Sequence, residues 1–226
     1  MQYTKRYLMS VLNRDRGNAL GLISDLPAKG YTLLDVFDVL SGSQRMIGEM
    51  WAKGTITVAD EHFATEVTLD AIEMASGKMK VFRREKKGSA LLANFVEGEF
   101  HTIGLKMFAE LLRSDGWEVE FYTSSLSVSQ IFKYLQKSQK RFELICLSLT
   151  MQFNLEEFAG TLKILRTNLL TKDCTIIAGS DLFKTKRARG SLIDKETGRP
   201  LLDFIATSLG EGLKFVQSMH SRAARM

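Results

Sequence analysis

The chain has 226 residues, 45% of them hydrophobic, and a net charge of +5; this length suits one large domain or two modest ones, with apolar side chains enough for a real core. The positive charge is spread over both halves and comes with no helix-turn-helix, zinc-finger or RNP-type pattern, so direct DNA recognition is not expected. No uninterrupted apolar run reaches the length of a signal-peptide core or a membrane span, which points to a soluble, cytoplasmic protein.

Residues 1–82 read as helices throughout. Tyr7, Leu8, Val11 and Leu12 form a first apolar stripe, and Leu20, Leu22, Ile23 and Leu26 a second, ended by Pro27 and Gly30. A third helix runs from Leu33 through Met46, Ile47 and Met50 to Trp51, where "KGT" breaks the pattern. Thr57 with Asp60 has the shape of a capping box for a fourth helix over 57–83, with Phe63, Val67, Ile72, Met74 and Met79 on its apolar side. Four helices with short connections predict a small antiparallel bundle over 1–83. The charged stretch "RREKKGS" follows and reads as a solvated linker over 84–89.

From residue 90 the pattern changes. Short apolar runs at 90–96, 117–123, 142–150, 174–179 and 203–206 alternate with helical stretches at 102–115, 127–138, 154–169 and 208–219. Such alternation predicts a doubly wound parallel sheet, Rossmann-like or flavodoxin-like, over 90–226. Ligands of these sheets bind outside the carboxyl ends of the strands, where His101, Ser148, Thr150, Gly179 and Ser180 all fall. Cys146 and Cys174 lie in buried-strand patterns, which argues against a disulfide framework and for a reducing compartment. "KRARGSLIDKETGRP", 186–200, reads as a mobile loop whose basic residues face solvent.

His101 stands on the glycine-flanked loop "FVEGEFHTIGLKM", 95–107, between a strand and a helix. Three histidines and two buried cysteines offer no zinc spacing. "GEFHTIG" is not a dinucleotide fingerprint, no P-loop occurs, and no serine sits in a nucleophile elbow. Ordinary hydrolase or dehydrogenase chemistry is therefore not expected. The arrangement suits a large cofactor that brings its own metal. One imidazole then supplies an axial ligand, and Glu99, two residues earlier, orients its other nitrogen. Gly104 lets the following helix approach closely.

Glu99, His101 and Gly104 form E-x-H-x-x-G, which resembles the D-x-H-x-x-G loop of the methionine-synthase-type cobalamin domain. "SLT" (148–150) and "GS" (179–180) are similar to that family's companion S-x-L or S-x-T and G-G motifs. The resemblance implies His101 as the lower ligand of cobalt, displacing the cofactor's own base. It implies a tail slot lined by Ser148 and Thr150, with Gly179 at its edge. Ser180 stands where the second glycine of the motif lies, which implies a tighter slot. In the first half, Trp51, nine residues and then Glu61 and His62 resemble the W-x9-E-H pattern of CarH-like cobalamin photoreceptors, where these residues surround the adenosyl group. "NRDRG" resembles the start of that cap's second helix.

The chain begins at the cap rather than at a MerR-type DNA-binding domain, and so resembles the free-standing AerR-type antirepressors. The implied function is a light sensor with adenosylcobalamin between cap and sheet, signalling to a transcriptional regulator or other protein partner, or to a second copy in a homo-oligomer. No catalysis of its own is implied. Ala52 follows Trp51, so no neighbouring histidine is at hand as an upper ligand. Two alternatives stand beside it: a corrinoid methyl carrier of a methyltransferase system, and a sensor of the same fold holding heme or bilin.

Overall fold

The computed structural model describes all residues except 1, 80–85, 97, 100, 124–125 and 224–226, and describes no side chains over 220–223. The chain forms two compact units, 1–81 and 82–226. Part of the expected linker thus lies outside the described residues.

The first unit is a four-helix bundle: α1 (Gln2–Leu12), α2 (Arg16–Ser24), α3 (Leu33–Ala52) and α4 (Val58–Lys78), with a 3-10 turn, Pro27–Lys29, between α2 and α3. α1 packs against α2 and α3, and α4 closes the bundle against α2 and α3. Tyr7, Val11, Ile23, Leu26, Phe37, Leu40, Ile47 and Ile72 fill the core. Thr32 with Asp35 and Thr57 with Asp60 form reciprocal capping boxes, which satisfy the first orphan amides of α3 and α4.

The expected apolar side of α4 holds at Val67 and Ile72 and needs correction elsewhere. Its buried residues are Ala64, Val67, Thr68, Ala71, Ile72 and Ala75. Phe63, Met74 and Met79 are only half-buried. Small alanines let the helix axes approach, so the larger apolar side chains fall to the edges of the contact.

The second unit is a five-stranded parallel sheet in the order β2-β1-β3-β4-β5, with β1 (Gly88–Leu92), β2 (Trp117–Phe121), β3 (Leu144–Ser148), β4 (Thr175–Gly179) and β5 (Phe204–Ala206). This is the flavodoxin-like order, with its switch point between β1 and β3. The connecting helices are α5 (Ile103–Asp115), α6 (Val128–Ser138), α7 (Leu155–Thr167), a short α8 (Lys186–Gly190) and α9 (Leu209–Ala223). One face carries α6 and α7, whose Ile131, Leu135, Phe158 and Leu162 share a core with Leu91, Ile145, Leu147 and Ile176. α5 and α9 pack against each other, and α5 meets β2 and β3 while α9 meets β4 and β5. Phe204 of β5 stacks on Phe215 of α9 with centroids 4.4 Å apart.

Three sequence expectations change here. β1 begins at Gly88, so Gly88 and Ser89 belong to the sheet rather than to a linker. Gly88 has φ +146°, and an added Cβ would sit 3.1 Å from Trp117 and 3.2 Å from Glu143, so glycine is required. β1 also ends at Leu92, and Ala93–Val96 stay buried while leaving the ladder. Residues 186–200 are structured: α8 opens the segment, and Ile193 bridges Pro200. Cys146 and Cys174 are free and buried, and burial pushes both thiols up.

Candidate functional site

The loop after β1 is shaped by its own polar side chains. Glu99 N–H donates to Val96 O at 3.2 Å, closing a turn around Gly98, whose φ of +80° favours glycine. This turn folds the Glu99 side chain inward, where it is fully buried, while the His101 side chain stays 52% exposed. Glu99 Oε1 accepts the Nδ1 proton of His101 at 2.7 Å. Glu99 Oε2 accepts the backbone N–H groups of Thr150 at 3.0 Å and Met151 at 3.1 Å, and Asn154 Nδ2 at 3.4 Å.

A buried carboxylate needs such compensation. Burial alone pushes the Glu99 carboxyl up, but the bonds from His101, Thr150 and Met151 outweigh it and hold the pKa at about 2. Glu99 is therefore an anion at any physiological pH. An anion accepts and cannot donate, so Nδ1 carries a proton, and in the neutral imidazole the lone pair lies on Nε2. That is the tautomer an axial metal ligand needs.

The other expected rim residues lie beside this pair. Ser148 and Gly179 are direct partners in the β3–β4 register, and Leu149 N–H donates to Gly179 O at 3.4 Å. Ser148 Oγ lies 3.0 Å from Asn94 Oδ1, so its hydroxyl is engaged in the loop itself. Thr150 is exposed and contributes its backbone amide to Glu99. Ser180 is extended, and its Oγ accepts Leu182 N–H at 3.0 Å to cap the 3-10 helix Asp181–Lys184. Its side chain is thus turned to its own chain. Gly104 lies in the first turn of α5, and an added Cβ at Gly104 or at Gly179 meets nothing within 4 Å. Open space stands over both glycines.

In the helical unit, Trp51 lies in the last turn of α3 and is 46% exposed. Glu61 and His62 lie in the first turn of α4, where His62 Nδ1 meets Glu61 Oε2 at 2.6 Å and Thr65 Oγ1 donates to Glu61 Oε1 at 2.9 Å. The three residues share one end of the α3–α4 hairpin. "NRDRG" serves the bundle: Asp15 caps α2, while Arg14 pairs with Asp60 and Arg16 with Asp70.

Two residues of the rim carry no flag in a motif reading. Asn154, 6% exposed, supports Glu99. Asn94, 1% exposed, donates from Nδ2 to the carbonyls of Glu99 at 3.2 Å and His101 at 3.4 Å. The signal for Asn94 is present in "ALLANFV": one amide inside an apolar run must find buried partners.

A buried anion behind a half-exposed imidazole, with open space over nearby glycines, fits the lower face of a metal-bearing macrocycle. Residues 3–75 match a family model described as a B12 binding domain, and residues 89–189 match a second model with the same description. No curated protein matches the chain. Among solved structures, the chain is similar to the Methanosarcina barkeri monomethylamine corrinoid protein, at TM-score 0.75 and 16% identity, covering 94% of this chain and 96% of that one. It also matches a cobalamin-binding protein from Desulfitobacterium hafniense DCB-2, at TM-score 0.47 and 19% identity, over 95% of this chain and 97% of that one. A third match is the methanol:cobalamin methyltransferase complex MtaBC from Methanosarcina barkeri, at TM-score 0.45 and 14% identity, over 96% of this chain and 79% of that one. The first of these establishes a shared fold. The two B12 binding domains in succession fit a cobalamin-binding module and indicate a corrinoid cofactor; heme and bilin gain no support from them. Among the described residues, no helix is long and apolar enough to cross a membrane.

Proposed function

We propose that this protein is a corrinoid carrier, in which His101 ligates cobalt from below and a protein partner works on the opposite face. The carrying observation is the buried Glu99 carboxylate, which fixes the tautomer of His101 through a 2.7 Å bond. The two B12 binding domain matches support the cofactor class, and the likeness in fold to a monomethylamine corrinoid protein favours carrying over sensing.

A bound corrinoid supplies a cobalt centre that accepts and releases a one-carbon group. The chain's own work is positioning. Glu99 holds the imidazole in one tautomer and orientation and raises its basicity as a ligand. The amides of Thr150 and Met151 keep Glu99 ionised at the end of β3. The space free of neighbours at Gly104 and Gly179 would leave room for a corrinoid and its tail. The chemical step belongs to the partners that bring and take the one-carbon group, so the chain is a carrier rather than a catalyst.

The test is retention. Purified protein is mixed with cobalamin in the dark, freed of excess, and its visible spectrum recorded for wild type and His101→Ala. Pigment is expected to stay on the wild type with an axial-ligand signature that His101→Ala alters. A colourless wild type would sink the proposal.

One observation keeps a second reading. Trp51 is 46% exposed and shares its end of the hairpin with the Glu61–His62 pair, residues whose W-x9-E-H spacing resembles that of a photoreceptor cap. On that reading the ligand is adenosylcobalamin, light breaks its weak upper bond, and the partner is a transcriptional regulator or a second copy. The ligand can shift such a cap only by its differential affinity for the cap's two positions. A spectrum unchanged after green light would dispose of it.

A further inference from the structure

Asn94 occupies a position that no motif assigns, and its bonds join both arms of the site. It follows β1 by two residues and is 1% exposed. An amide has two N–H donors and an oxygen that accepts twice. Nδ2 donates to Glu99 O at 3.2 Å and His101 O at 3.4 Å. Oδ1 accepts Ser148 N–H at 3.3 Å and Ser148 Oγ at 3.0 Å. Ser148 Oγ also lies 3.3 Å from His101 O, but a hydroxyl has one proton, and the shorter contact is to Asn94. These partners fix the amide's orientation, because reversing it would set an oxygen against two carbonyls and an NH2 against a backbone N–H. Its own carbonyl accepts Leu126 N–H at 2.9 Å, which adds the strand-to-helix connection before α6.

Glu99 grips the imidazole ring, but nothing in that grip fixes the height of the backbone carrying the ring. Asn94 does so, since it holds the peptide oxygens on either side of the E-x-H step. It refers them to Ser148, the last residue of β3 and the register partner of Gly179. We propose that Asn94 is a positioning residue that sets the reach of His101 toward cobalt and couples it to the β3–β4 edge, where the resemblance sets the cofactor tail. The inference rests on the corrinoid reading above.

Asn94→Asp separates the two arms. The aspartate keeps an oxygen for Ser148 but turns its second oxygen toward the Glu99 and His101 carbonyls, so the histidine arm is lost and repelled. Ser148→Ala removes the hydroxyl arm alone. The measurement is electron paramagnetic resonance of bound cob(II)alamin on protein carrying isotope-labelled histidine nitrogen. Axial histidine coordination then shows as a change in nitrogen splitting that the cofactor's own base cannot produce. Apo-protein melting is recorded beside it.

Wild type is expected to be fully histidine-coordinated. Asn94→Asp should retain corrinoid but lose at least half of that signal, and Ser148→Ala should lose a smaller share. Full histidine coordination in Asn94→Asp would overturn the inference and leave the corrinoid reading intact. If Asn94→Asp does not melt cooperatively, Ser148→Ala decides: an unchanged histidine signal overturns the inference. Wild type that binds no corrinoid overturns the reading and the inference together.

Discussion

Glu99 Oε1 lies 2.7 Å from His101 Nδ1, while the other oxygen of the same carboxylate is spent on two backbone amides at the end of β3. One anion thus serves two masters on opposite sides, and a neutral isostere cannot. In Glu99→Gln the amide oxygen keeps the Thr150 and Met151 donors only with its NH2 turned to His101. There it opposes the Nδ1 proton unless the imidazole moves that proton to Nε2, the nitrogen a metal needs free. Apo-protein stability should therefore fall by no more than about 1–3 kcal/mol, the cost of leaving one side unpaired. Cobalamin affinity should fall by about 10–100-fold, the usual effect of removing a partner behind a metal-ligating histidine. Equilibrium dialysis and urea melts measure the two. Affinity within a factor of two of wild type would show that Glu99 is structural only.

Gly179 and Ser180 stand where the resembling family carries a glycine pair, and their surroundings differ. An added Cβ at Gly179 meets nothing within 4 Å, whereas the Ser180 hydroxyl is folded onto Leu182 N–H. On the corrinoid reading, a side chain added at 179 would therefore obstruct the tail, and the Ser180 hydroxyl would not. Gly179→Leu should leave apo-protein stability within about 1 kcal/mol of wild type, since its Cβ meets nothing within 4 Å and no positive φ opposes it. It should weaken cobalamin binding at least tenfold while sparing a tailless corrinoid. Ser180→Gly should cost only about a few tenths of a kcal/mol through the lost cap and leave cobalamin binding unchanged. If Ser180→Gly instead tightens binding tenfold, the hydroxyl does crowd the slot.

The sequence made some of this legible and hid the rest for physical reasons. Local hydrogen-bond chemistry reads well: the Thr57–Asp60 capping box and the alternation that yields the five-stranded sheet are set by residues adjacent in the chain. His101 with Glu99 was legible because both lie on one loop. Asn94 and Asn154 were not, because their roles arise from strands and turns more than 50 residues apart, with Asn94 bonding Ser148 and Asn154 bonding Glu99. The buried face of α4 was misread because hydrophobicity ranks Phe63 and Met74 above alanine. Close packing of helices rewards small side chains instead. Gly88 read as linker because its neighbours are charged, although its backbone is already in the ladder.

The charged residues of "NRDRG" look equal in sequence and are unequal in the fold. Asp15 accepts Asn18 N–H at 2.9 Å and caps α2. Arg16 meets Asp70 at 2.7 Å with both side chains around half exposed, at 57% and 42%. Caps are worth about 1 kcal/mol, and exposed ion pairs about 0–1 kcal/mol, less in salt. Asp15→Ala should therefore lower the stability of the bundle by about 1 kcal/mol at any salt concentration, and Arg16→Ala by under about 0.5 kcal/mol. Urea midpoints at low and high salt separate them. An Arg16→Ala loss exceeding that of Asp15→Ala would reverse the ranking.

Tyr7 gives the bundle an alkaline limit. Its hydroxyl lies 3.1 Å from Thr68 Oγ1, which also receives a bond from Gln44 Nε2. Burial is the main effect on the phenol and raises it from 10.0 to about 12, against a smaller lowering by the Thr68 bond. The folded state holds the neutral ring, while an unfolded chain ionises from pH 10 upward. The stability contributed by Tyr7 is therefore complete below pH 10 and is lost as pH rises toward 12, by about 1.4 kcal/mol for each unit between the two values. Tyr7→Phe should cost about 1 kcal/mol at neutral pH through the lost hydrogen bond. It has no proton to lose, so its deficit against wild type should shrink above pH 10 and reverse before pH 12. Urea midpoints for the pair at neutral pH and across pH 9–12 give the result. A deficit that stays constant over that range would mean that Tyr7 ionises as readily in the fold as outside it.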